Sequence, residues 1–104
     1  MTGWKVVVTA VAERDLTDAM GYIRDQLGSP VAALRLLDEF EARAQALSNH
    51  PEAYPQVREA RLSRFGYRWA PVGGYMAFFT TDRQSGTVTI ERLLYGRSNW
   101  HAVL

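Results

Sequence analysis

Cysteine is absent from the sequence, which removes disulfide frameworks, thiolate chemistry and cysteine-ligated zinc together. Lysine is nearly absent. Lys5 is the single example, and every other basic side chain is arginine. Histidine is confined to His50 and His101, which share no metal-ligand spacing, so neither a metal nor a cofactor is expected. Long apolar runs are missing too: Val6–Val8 ends far short of a signal-peptide core or the roughly 20 residues of a membrane span. These absences exclude a disulfide-stapled scaffold and a membrane-spanning helix. They suit reducing cytosol, so a cytoplasmic location without membrane association is expected.

What is present is ordinary globular composition. The 104 residues are 47% hydrophobic and 22% charged, enough for one compact domain over residues 1–104. Net charge is only +1, which advertises no generic nucleic-acid binder. Its distribution is uneven. Residues 1–51 carry five basic and seven acidic side chains, and residues 52–104 carry seven arginines against four acids. Arginine suits bidentate contacts with phosphate or carboxylate and stacking on rings.

Trp4–Thr9 is rich in β-branched residues and reads as a first strand. Over Glu13–Leu27 the period changes to that of a helix, with Leu16, Met20, Ile23 and Leu27 on one stripe. Gly28 stops it. Ser29 and Pro30 supply a cap and a first helical residue for a second helix, whose stripe is Ala33, Leu37, Phe40, Ala44 and Leu47. Leu62–Trp69 alternates, with Phe65, Tyr67 and Trp69 opposite Arg64, Gly66 and Arg68, and predicts a strand. Pro71–Gly74 reads as a turn and Tyr75–Thr80 as a central strand. Asp82–Gly86 then connects to a last strand, Thr87–Tyr95, with Val88, Ile90, Arg92 and Leu94 on one face. A short helix after Ser98 ends the chain. The expected fold is α+β, in the order β-α-α-β-β-β, with a helical hairpin on a small, mainly antiparallel sheet.

That order resembles the RelE/ParE superfamily, the toxin halves of bacterial type II toxin–antitoxin pairs. Three stretches carry the likeness: Asp15-Leu16 with Tyr22-Ile23; Gly28-Ser29-Pro30 with Ala32-Ala33; and Glu91-Arg92-Leu93-Leu94-Tyr95-Gly96-Arg97-Ser98-Asn99-Trp100. The last looks like the closing strand of ParE-type members, which runs into a His-Gly-Arg-Arg-Asp-type ending. Here Tyr95 replaces the histidine, and Ser98-Asn99 replaces the following arginine and acid. The resemblance implies growth inhibition, neutralisation by a cognate antitoxin, and a heterotetramer or larger complex with it. An antitoxin helix with acidic groups, laid over the helical hairpin and the arginine face, is the expected contact.

The superfamily divides by target. RelE-like members cut messenger RNA on the ribosome with basic side chains and a proton shuttle, as phosphoryl transfer requires. ParE-like members are associated with poisoning DNA gyrase and do no bond-making chemistry of their own. The second half of this chain has arginines, no lysine and no clear acid/base cluster, so gyrase poisoning is the leading expectation. A ribosome-dependent endoribonuclease using Arg64, Arg68, Arg97 and His101 is the alternative, and a non-toxic member that only binds antitoxin is a further one. For target binding the expected residues are Arg97, which follows a strand-ending glycine, Arg68 and Arg64 across Gly66, and Trp100. Each has a plainer reading: solvated arginines covering a sheet, and an aromatic packed on a sheet edge.

Overall fold

The computed structural model describes residues 3–104. The first strand, β1 (Lys5–Val8), leads into α1 (Ala10–Asp25), which starts three residues before the expected Glu13 because Thr9 caps it, its hydroxyl accepting from the Ala12 N–H. Leu27 lies beyond α1 and is 61% exposed, so it drops out of the expected stripe. Gly28, at φ 66°, takes the left-handed conformation that turns the chain. Helix α2 (Pro30–Leu47) is then capped by the Ser29 hydroxyl, as read from the sequence.

A strap follows, with one 3-10 turn at Pro51–Ala53, and then a single helical turn, α3 (Ala60–Ser63). This corrects the strand expected over Leu62–Trp69. The Glu59 carboxylate accepts from the Arg61 N–H and starts a helix, and Gly66 at φ 72° forces a turn. The strand β2 begins only at Arg68 and runs to Val72, which carries Pro71 out of the expected turn and into the sheet. β3 (Tyr75–Asp82), β4 (Thr87–Tyr95) and a four-residue helix, α4 (Trp100–Val103), complete the order.

The four strands lie in the order β1-β4-β3-β2, with β1 parallel to β4 and the other pairs antiparallel. The α+β architecture is therefore the expected one. Both sheet faces are covered. On one, α1 and α2 bury Ala12, Ala19, Leu36, Phe40 and Leu47 against Val72, Ala77, Phe79, Val88, Ile90 and Leu93. On the other, Val57 and Leu62 cover Phe78, with Tyr67, Trp69, Leu94, Trp100 and Leu104 around them. Phe78 and Phe79, adjacent in sequence and both fully buried, thus serve opposite faces, each contributing about 2–3 kcal/mol.

The register contains one irregularity. Phe78 pairs with Arg92 and Phe79 with Ile90, which leaves Glu91 unopposed. The extra residue reverses the alternation of β4. Of the four residues expected on one face, Val88 and Ile90 face the helices, where Leu93 joins them, while Arg92 and Leu94 turn to the other face.

Candidate functional site

Of the residues singled out from the sequence, the face opposite the helical hairpin carries Trp100, with His101 stacked on it. Trp100, on α4, lies with its ring 5.0 Å from that of Phe78, and the His101 ring stacks on Trp100 at 3.7 Å. Arg61, at the start of α3, donates to the His101 carbonyl and ties the two short helices together. Arg61 and His101 stand 40 positions apart, and only the fold shows that they meet. Arg64 caps the end of α3 and sits over the exposed Phe65 ring at 5.1 Å. Arg97 occupies the turn between β4 and α4, exposed and, among the described residues, without an ion pair or hydrogen bond.

Arg68 does not belong with them. It opposes Phe79 in the ladder, so it lies on the helix side of the sheet, away from Trp69 and Phe78. Its guanidinium donates to the Tyr54 carbonyl at 2.7 Å. The expected Arg64–Arg68 pair across Gly66 is therefore not formed, because one residue ends a helix and the other begins a strand.

Arg68 is one of three arginines that hold the strap. Arg43 of α2 donates through Nε to the Pro71 carbonyl and through Nη1 to the Tyr54 hydroxyl. Arg83, in the β3–β4 turn, pairs with Glu52 at 2.8 Å and holds that carboxyl below its ordinary pKa through the hydrogen bond. A further link crosses from β4 to α1. Arg92 forms a two-pronged pair with Asp15, at 2.7 and 3.1 Å, and the same carboxylate accepts from the Leu93 N–H at 3.0 Å. The hydrogen bond to Asp15, ahead of its charge, raises the Arg92 pKa further. Of the seven arginines in the second half, Arg58, Arg64 and Arg97 remain without an ion pair or hydrogen bond among the described residues.

His101 has no hydrogen bond from its ring among the described residues, and no carboxylate orients it. Groups of His, Asp or Glu able to hold a metal are absent among the described residues. No helix there is long and apolar enough to cross a membrane. The face offers cations and rings, which recognise phosphate, carboxylate and flat surfaces.

A small α+β domain with a helical hairpin on one sheet face and an arginine-bearing cap on the other defines a toxin of the RelE/ParE fold. Residues 6–100 match the family model of the ParE toxin of type II toxin–antitoxin systems, parDE, and the chain belongs to that family. Among solved structures it is similar to the toxin–antitoxin complex RelBE2 from Mycobacterium tuberculosis, with 24% identity and a TM-score of 0.61 over 90% of this chain and 99% of that one. It is also similar to the chromosomal ParDE toxin–antitoxin system from P. aeruginosa, with 16% identity and a TM-score of 0.70 over 88% and 95%. No curated protein sequence matches it.

Proposed function

We propose that this ParE-family toxin arrests bacterial growth by binding DNA gyrase through the face bearing Arg97, Arg64 and Trp100, and that a cognate antitoxin neutralises it. The observation that carries this reading is Arg97, an exposed and uncommitted guanidinium on the turn that leaves the central strand β4. Arg68 acts by holding the strap at Tyr54, not by touching the target. A nuclease reading requires a positioned acid or base, and among the described residues the His101 ring is held only by stacking on Trp100.

Induction of the chain alone is expected to stop growth, and co-expression of the small protein encoded beside it to restore growth. In purified assays the toxin is expected to inhibit supercoiling or trap cleaved DNA while translation continues. Cleavage of translated message with supercoiling unchanged supports the ribosome-dependent nuclease instead. Unimpaired growth on induction supports the non-toxic member.

A further inference from the structure

The strand β1 reaches only as far as Ile90 along β4, which leaves residues 91–95 with no strand on that flank. Tyr95, the last residue of β4, therefore stands at an open corner of the sheet and is 47% exposed. It opposes Tyr75, which packs against the helix-side core, so Tyr95 shows on the hairpin side, away from Trp100.

The ring at that corner does not swing freely. It meets the Tyr75 ring edge-on at 5.3 Å, and the β2–β3 turn lies against it: a Cβ at Gly74 would stand 3.4 Å from Tyr95 Cε1. The backbone is tied as closely. The Gly96 N–H donates to the Gly74 carbonyl at 3.0 Å, and a Cβ on Gly96 would sit 3.1 Å from that oxygen, so a bare backbone is what lets the two turns meet. Ser98 closes the loop, its N–H and its hydroxyl both donating to the Tyr95 carbonyl, at 3.0 and 2.6 Å. Arg97 lies inside it. A fixed ring and an uncommitted guanidinium thus share one closed turn, and the Tyr95 hydroxyl has no hydrogen-bond partner among the described residues.

We propose that Tyr95 is a second target-contact residue, presenting its ring and hydroxyl beside Arg97 to a protein surface that offers a carboxylate next to an apolar side chain. The inference rests on the target-binding role given to Arg97 and adds the group that shapes the contact. It carries that contact round the end of the sheet, onto the hairpin side. Tyrosine and arginine dominate protein interfaces, tyrosine because its few torsions lose little freedom on binding. Here Tyr75 and the Gly74 backbone have already fixed the ring, which lowers that cost further. One guanidinium beside one ring suits a single carboxylate, whereas a nucleic-acid backbone calls for a row of cations.

The test induces the full-length chain in cells and follows growth arrest. Purified DNA gyrase is the probe for inhibition of supercoiling, and calorimetry with the full-length small protein encoded beside the toxin gives antitoxin affinity. Tyr95→Ala is expected to lower toxic potency about tenfold and to leave antitoxin affinity within about twofold. Tyr95→Leu keeps apolar bulk against Tyr75, which guards the fold, and is expected to lose potency to the same degree. Tyr95→Phe lacks only the hydroxyl and is expected to fall between them and the wild type. Leu34→Ala, at another exposed apolar side chain, on α2, is expected to leave potency within about twofold. Circular dichroism and thermal midpoints verify folding. Full toxicity of folded Tyr95→Leu, with Arg97→Ala inactive, overturns Tyr95 as a contact and leaves the Arg97 reading standing. Antitoxin affinity lost in step with potency overturns it as well, by moving Tyr95 to the antitoxin interface. So does Tyr95-dependent binding of the toxin alone to duplex DNA. Growth arrest with supercoiling untouched overturns gyrase as the target, and the growth series then decides Tyr95. A wild-type chain that leaves growth unimpaired overturns both.

Discussion

At Asp15 one carboxylate answers both a guanidinium and a backbone N–H, the Arg92 and Leu93 groups left where β1 stops short of the end of β4. Removing it by Asp15→Ala orphans both donors in a half-buried site, and is expected to cost about 2 kcal/mol, read as a lower thermal midpoint. Asp15→Asn keeps an acceptor and is expected to cost less. The exposed pair Arg24–Asp25 gives the contrast: Asp25→Ala is expected to leave the midpoint unchanged. Arg97→Ala is expected to shift stability by no more than about 0.5 kcal/mol and to abolish toxicity. Arg97→Lys keeps the charge without the planar fork and is expected to recover activity only in part. Leu93→Ala, at a position 2% exposed, is expected to cost roughly 2–5 kcal/mol and to lower toxicity only as far as folded protein is lost. Tyr75 adds a pH dependence. Burial, then the neighbouring tyrosines, raises its phenol above the usual value. The folded state therefore holds that proton more tightly than the unfolded one. The resulting stability is present at neutral pH and is lost as pH rises through about 10 and beyond. Phenolate absorbance is expected to show a late step that Tyr75→Phe removes.

Among the elements, β4 depends most on a single residue, because the unopposed Glu91 sets which faces Arg92, Leu93 and Leu94 take. Deleting Glu91 is expected to remove the bulge, leave Leu93 opposite Ala77 in the helix-side core and preserve cooperative unfolding, whereas deleting Glu91 and Arg92 together is expected to turn Leu93 out of that core and abolish it. The bulge was invisible in the sequence, where Val88 to Tyr95 alternates without a break. The limits of β4 were legible, as were the Ser29 cap and the hairpin of helices, because local chemistry sets them. The stretch from Leu62 to Trp69 misled because its aromatic spacing mimics a strand, while a carboxylate cap at Glu59 and a left-handed Gly66 dictate a helical turn. The arginines of the candidate site were legible by type, but their commitments were not. Arg92 finds Asp15 from 77 positions away and Arg68 finds Tyr54 from 14, and no local pattern announces either.

At the scale of the whole molecule, the parallel pairing of β1 with β4 sets the order of assembly. The α1–α2 hairpin and the β2-β3-β4 meander close short loops, whereas Thr9 meets the Glu91 carbonyl across 82 positions. Long-range closure comes late in folding. Val8→Ala, in the half-buried β1, is therefore expected to speed unfolding by most of its stability loss and to leave the refolding rate nearly unchanged in stopped-flow measurements. A nascent chain makes β1 first, then must hold it unpaired until β4 has been synthesised. During that interval the hollow between β1 and α2 has no fixed wall, so Trp4, Val6 and Val8 wait in water until the last strand arrives.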